Sequence, residues 1–149
     1  VHNGARKAAV LEATGEEGGT IVLKHLTPQT VAKPAGRYSH AVEVPPNARW
    51  LYVAGQVGVK PDGTMAEGFE AQADQAWRNL AAVLEAAGMG LRDIVRINYY
   101  LIDAADVPSA RTVRDRYITD PAPAATLAVI KALASPAWRF EIEAVAAKA

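Results

Sequence analysis

Cysteine is absent from the 149 residues, which excludes disulfides, thiolate nucleophiles and cysteine-ligated zinc or iron–sulfur sites. Net charge is missing too: sixteen basic and sixteen acidic side chains cancel to zero, so no global field draws in nucleic acid or an anionic membrane. No apolar run reaches the roughly 20 residues that span a bilayer, and the amino end lacks the charged-then-apolar pattern of a secretory signal. Cytoplasm is the expected compartment, with neither membrane nor nucleic acid as a partner. What is present is a chain that is half apolar with dispersed charge, enough for one core but too short for two full-sized ones. Residues 1–19 end in "GEEGG" without a sustained period and read as a flexible lead-in, with room for a helical turn at "ARKAAVLEA". A single domain is expected from residue 20 to residue 149.

Periodicity assigns the elements. "TIVLKHL", "YSHAVEV" and "RWLYVAGQVGV" read as strands, the last two as a hairpin across "PPNA". From Glu67 to Ala87 the apolar residues Phe69, Ala73, Ala76, Trp77, Leu80, Val83, Leu84 and Ala87 recur at three- and four-residue steps, the stripe of an amphipathic helix closed at Gly88. "DIVRINYYLID" is a long strand with Val95, Ile97, Tyr99 and Leu101 on one face. A second helix over Val107–Ile118 follows, then the strands "ATLAVIKAL" and "WRFEIEAVA". The order gives an α+β fold, a mixed sheet with two helices on one face. The other face is left uncovered, and its apolar side chains predict association between subunits.

Few residues announce chemistry. Glu141 and Glu143 are two apart on a strand and share a face. One could act as a general base toward water while the other tunes it, or the two could be a solvated strand face or form salt bridges to Arg139 and Lys131. His40 has no neighbours at metal-ligand spacing, so no metal is expected. "GQVGV" lacks the remaining glycines of a dinucleotide fingerprint, and Gly55 reads instead as a place where another group comes close. Ser39, Ser109 and Ser135 sit in no nucleophile motif. Arg78, Arg96, Arg111, Arg114 and Arg116 could contact RNA or simply face solvent.

In order and spacing, "GRYSHAV", "LYVAGQVGVKPDG", "QADQAWRNLAAVLEAAG", "DIVRINYYLID" and "FEIEAVA" together resemble the RidA (YjgF) family, from Gly36 to Ala147. The resemblance implies a chorismate-mutase-like fold assembled as a homotrimer, its sheets forming an inner barrel with three clefts between subunits. The best-known branch hydrolyses reactive enamines and imines such as 2-aminoacrylate, without metal or organic cofactor. An arginine holds the substrate carboxylate there, and a glutamate positions the attacking water. Carried over, Tyr38 matches the cleft tyrosine, Glu141 the water-positioning glutamate and Gly55 the glycine of the cleft-lining strand.

Three positions depart from that pattern. Ala54 stands where a serine or threonine usually precedes the glycine, and Arg111 where many members carry asparagine. The family's Pro-Ala-Arg reads Pro123-Ala124-Ala125 here, so Ala125 replaces the carboxylate-binding arginine. Losing a buried charge-assisted contact of that kind costs about 2–5 kcal/mol. The resemblance therefore implies a small metabolite bound in inter-subunit clefts and a C=N hydrolase, or deaminase, of altered substrate, in an arginine-free branch. Arg111 entering the cleft from the second helix is one way to replace the lost guanidinium. A non-catalytic ligand-binding or chaperone-like trimer is the alternative, and a ribonuclease a third.

Overall fold

The computed structural model describes Val10–Leu11 and residues 22–148 of the chain; the rest of the lead-in reading lies outside the described residues. Strand β1 (Val10–Leu11) pairs antiparallel with β2 (Lys24–Leu26), and β2 with β3 (Ala41–Glu43). A second, four-stranded sheet contains β4 (Arg49–Val57), β5 (Ile94–Leu101), β6 (Ala124–Val129) and β7 (Phe140–Lys148) in the order β4-β7-β5-β6. It is mixed: β5 and β6 run parallel, while β7 is antiparallel to both of its neighbours. Helices α1 (Phe69–Ala86) and α2 (Val107–Arg114) complete an α+β arrangement.

The helical stripe read from the sequence is the buried face of α1 except at Val83, which is exposed. Phe69, Ala73, Ala76, Trp77, Leu80 and Leu84 are all buried, joined by Gln72. Gln72 is paid for by two hydrogen bonds: its Nε2 donates to Ala137 O at 3.0 Å, and Arg139 N donates to its Oε1 at 2.9 Å. The helix stops where Gly88 takes φ 68°, with Met89 N bonded to Leu84 O and Gly88 N to Glu85 O, the paired bonds of a Schellman end. Below α1, alternate residues of the sheet supply Ile97, Tyr99 and Leu101 from β5 and Phe140, Ile142, Ala144 and Ala146 from β7. Trp77 lies at the centre, stacked on Tyr117 with ring centroids 5.2 Å apart.

Two expectations need correction. "YSHAVEV" and "RWLYVAGQVGV" do not form a hairpin: β3 joins β2 and β4 joins β7. Pro45 and Pro46 carry no N–H to continue a ladder, and Asn47 at φ 67° turns the chain away between them. The second helix is also shorter than Val107–Ile118. It ends at Arg114 and continues as a turn to Ile118, whose N–H still bonds Arg114 O.

The sheet face away from the helices carries Arg96, Asn98 and Tyr100 from β5, Glu141, Glu143 and Val145 from β7, and Trp50 and Tyr52 from β4. Tyr52 is 77% exposed. No helix among the described residues is long and apolar enough to cross a membrane.

Candidate functional site

Glu141 owes its setting to an irregularity in β4. Val53 pairs with Ala144 and Gln56 with Ile142, so Ala54 and Gly55 together oppose the single residue Glu143. Such a bulge re-aims the chain locally. Here it brings the Gly55 backbone against the Glu141 side chain. A Cβ at Gly55 would overlap Glu141 Oε1 and lie 2.8 Å from its Cδ, so the carboxylate can hold this rotamer only against glycine. Burial, followed by the nearby Glu143 charge, holds the Glu141 carboxyl above its ordinary value of 4.5.

Glu143 is treated oppositely. Its Oε1 accepts from Tyr100 Oη at 2.7 Å and from Asn98 Nδ2 at 3.0 Å. These bonds favour the charged form and hold Glu143 below the usual carboxylate value. The paired carboxylates are thus split into a fixed anion and a group inclined to take up a proton, the division that acid–base work requires. The alternative of salt bridges to Arg139 and Lys131 is not what forms. Arg139 binds Asp106 instead, at 2.8 and 3.1 Å. Beside Glu143 the open face hollows into a cleft of about 450 Å³ lined by Tyr52, Ala54, Arg96, Asn98, Glu143 and Val145.

The other predicted residues lie across the sheet. Ala125 pairs with Ile97, so it projects to the helix side, partly buried against the core. Ser39 bridges to Ala124, which places Tyr38 and His40, each one residue away, on the face of Ala125. Their rings are 6.0 Å apart and stacked. Arg111 stands exposed on α2, on this same side of the sheet. The chain therefore brings Glu141 to Gly55, and separately Tyr38 to the start of β6, but it does not bring these two groups together.

Sequence reasoning missed the residues that surround these positions. Asn98 and Tyr100 reach Glu143 only through the β5–β7 register, which no local pattern specifies. Arg114 was one of several scattered arginines, yet its side chain is only 13% exposed and binds Asp115, a carboxylate that Arg37 also approaches. Arg78 pairs with Asp74, and Arg116 with Glu70 and Asp74. Arg78, Arg114 and Arg116 thus carry their own counter-charges, whereas Arg111 is exposed.

Residues 29–148 match the family described as Endoribonuclease L-PSP. A RutC family protein of Aquifex aeolicus is 36% identical over 118 residues, covering 77% of this chain and 91% of that protein. The 2-iminobutanoate/2-iminopropanoate deaminase of Mus musculus is 31% identical, covering 85% of this chain and 93% of the relative. Among solved structures, RidA from the Antarctic bacterium Psychrobacter sp. PAMC 21119 is 35% identical with a TM-score of 0.63, covering 76% of this chain and 89% of that one. The Rid-family protein YyfB from Yersinia pestis is 31% identical with a TM-score of 0.71, covering 83% and 97%. With the fold, the five motifs and these likenesses in agreement, the chain belongs to the RidA/YjgF family.

Proposed function

We propose that this protein hydrolyses a small imine or enamine to a carbonyl compound and ammonia, in clefts formed between the subunits of a homotrimer. The observation that carries this reading is the seating of Glu141: a carboxylate of raised proton affinity, lodged against the bare Gly55 backbone, with no hydrogen-bonding side chain among the described residues. The placement of the predicted residues on two faces fits a shared cleft. Glu141 and Gly55 would come from one copy, and Tyr38 with the Ala125 edge from the next. Trp50 and Tyr52, both exposed on the uncovered face, give such an assembly apolar surface to bury.

The reaction asks little of the protein. As water attacks the carbon of the imine, which has taken up a proton from solvent on its nitrogen, Glu141 accepts a proton from the water, giving a carbinolamine. The proton on Glu141 then passes to the nitrogen, the C–N bond breaks, ammonia leaves, and the hydroxyl returns its proton to solvent as it becomes the new carbonyl. Overall one imine and one water give one carbonyl compound and one ammonia, and Glu141 returns to its starting state.

The substrate is held differently from that of the deaminase-named relatives, because the position of the carboxylate-binding arginine is the uncharged Ala125. A ribonuclease is not favoured, since Arg78, Arg114 and Arg116 are already paired with Asp74, Asp115 and Glu70 and the net charge is zero. The test is ammonia release from a panel of imines generated in place by amino-acid oxidation, with Glu141→Gln as the comparison. Release by the wild type that collapses in the variant supports the reading. A uniformly negative panel would replace it with the non-catalytic binding trimer.

A further inference from the structure

Arg96 and Glu143 are the two charged side chains that line the cleft of about 450 Å³ on the open sheet face. In the β5–β7 register Arg96 stands opposite Val145 and Glu143 opposite Asn98, so the two are diagonal neighbours within reach of a long side chain. They do not turn to each other. Arg96 leans toward β6, where its Nη2 donates to Thr126 Oγ1 at 2.7 Å. Glu143 Oε1 accepts from Tyr100 Oη at 2.7 Å and from Asn98 Nδ2 at 3.0 Å. Among the described residues no donor meets Glu143 Oε2, and no carboxylate meets the Arg96 guanidinium.

Neutral partners orient these charges without cancelling them. The anion and the cation are therefore held apart across one cavity, each with bonding capacity left over, although a direct ion pair lay within reach. That arrangement becomes costly when subunits close over this face, because a covered charge needs an opposite charge beside it. A ligand of one sign would cancel one of the two and leave the other exposed to the same cost. A ligand carrying both signs cancels both. Tyr52, Ala54 and Val145 supply apolar wall around the charged pair, and the cavity has the volume of a site for a small molecule.

We propose that this cleft binds a small zwitterion of the amino-acid class, its ammonium on Glu143 and its carboxylate on the Arg96 guanidinium. A carboxylate oxygen with a free lone pair suits an ammonium, and the planar fork of an arginine suits a carboxylate. The site is distinct from the seat of Glu141 against Gly55, and its occupancy does not depend on the hydrolase reading. Glu141 lies two residues along the same face of β7. Where the hydrolase reading holds, a bound ammonium offsets the Glu143 charge that acts on Glu141, so the base responds to the zwitterion.

The experiment titrates glycine, β-alanine and γ-aminobutyrate, which set the same two charges successively farther apart, into the intact protein by calorimetry. Methylamine and acetate are the single-charge controls. At least one zwitterion should bind about tenfold or more tightly than either control. Arg96→Met and Glu143→Gln should each weaken that zwitterion by about tenfold or more, with Arg96→Lys in between because it keeps the charge and loses the fork. Arg96 is exposed, so its replacement removes no core contact, and Gln at 143 still offers Tyr100 and Asn98 an acceptor. Equal binding of a control and the best zwitterion, or unchanged zwitterion affinity in either folded variant, would overturn the assignment. The two readings fail separately: absent imine turnover with zwitterion binding intact removes only the hydrolase, and turnover without zwitterion binding removes only this site.

Discussion

Glu141 and Arg114 are each partly withdrawn from solvent, on opposite sides of one sheet, yet the protein handles their charges in contrary ways. Arg114 is given a counter-ion at 2.8 Å and a second guanidinium to share it. Glu141 is given neither: its seat is a bulge and a bare glycine, and the charge of Glu143 on the same face repels it. The difference teaches what each group is suited for. A charge that must remain charged is braced, whereas a group that must gain and lose a proton is left where ionisation is costly.

The largest expected effect breaks the Glu141 side of that comparison. Glu141→Gln keeps the size of the side chain and removes its proton affinity, so ammonia release should fall by roughly 100-fold or more, the usual share of a general base. Steady-state rates against the best imine of the panel measure it, and retention of most activity would remove Glu141 from the reaction. Gly55→Ala should come next. The added methyl cannot coexist with the present Glu141 rotamer, so the carboxylate must swing away, with a loss of about tenfold to 100-fold in kcat, as expected for misplacement by around an ångström. A wild-type rate would mean that the glycine's closeness serves packing alone.

A smaller effect sharpens the difference between the two carboxylates. If Glu141 is the base, the acid limb of the rate profile should lie above the ordinary carboxylate value of 4.5, since burial and Glu143 both raise it. Activity needs the ionised form, so the rate should rise with pH through that limb. Glu143→Gln removes the second cause and leaves the first, so the limb should move part of the way back toward 4.5. An unmoved limb would mean that Glu143 does not act on Glu141 by charge.

Much of this fold was legible in the sequence because period is a local property. The α1 stripe from Phe69 to Leu84, the Gly88 stop and the alternation of β5 all follow from which side chains can face one core. Pairing is not local, and there the reading failed: nothing in "YSHAVEV" or "RWLYVAGQVGV" shows that their partners are β2 and β7 rather than each other. The site divides in the same way. Glu141, Gly55, Tyr38 and the blank at Ala125 were visible through family likeness. The Asn98 and Tyr100 bonds to Glu143 required the register, and the bracing of Arg114 required knowing that the Gly36 turn folds over α2. Asp115 next to Arg114 gave no signal, because adjacent opposite charges are common on exposed helices, where they contribute little.

The smallest expected effect concerns what holds the Tyr38 turn in place, and so bears on the Arg114 side. Beneath Ser39 lies His25, buried, its Nδ1 3.0 Å from Ala122 O, with Ser39 Oγ donating to the same carbonyl at 2.6 Å. Burial is the larger influence and lowers the His25 pKa below 6.5, while the Ala122 bond opposes it. The folded protein thus prefers neutral His25 more strongly than the unfolded chain does. Its contribution to stability is complete above about 6.5 and declines as pH falls from there toward the lowered folded value. Thermal unfolding followed across that interval should show a falling Tm, and His25→Asn, which keeps a donor near Ala122 O without a titrating ring, should flatten the slope. If the wild-type slope persists in the variant, the pH dependence lies elsewhere, and the seat beneath Ser39 is not what couples protonation to the Tyr38 turn.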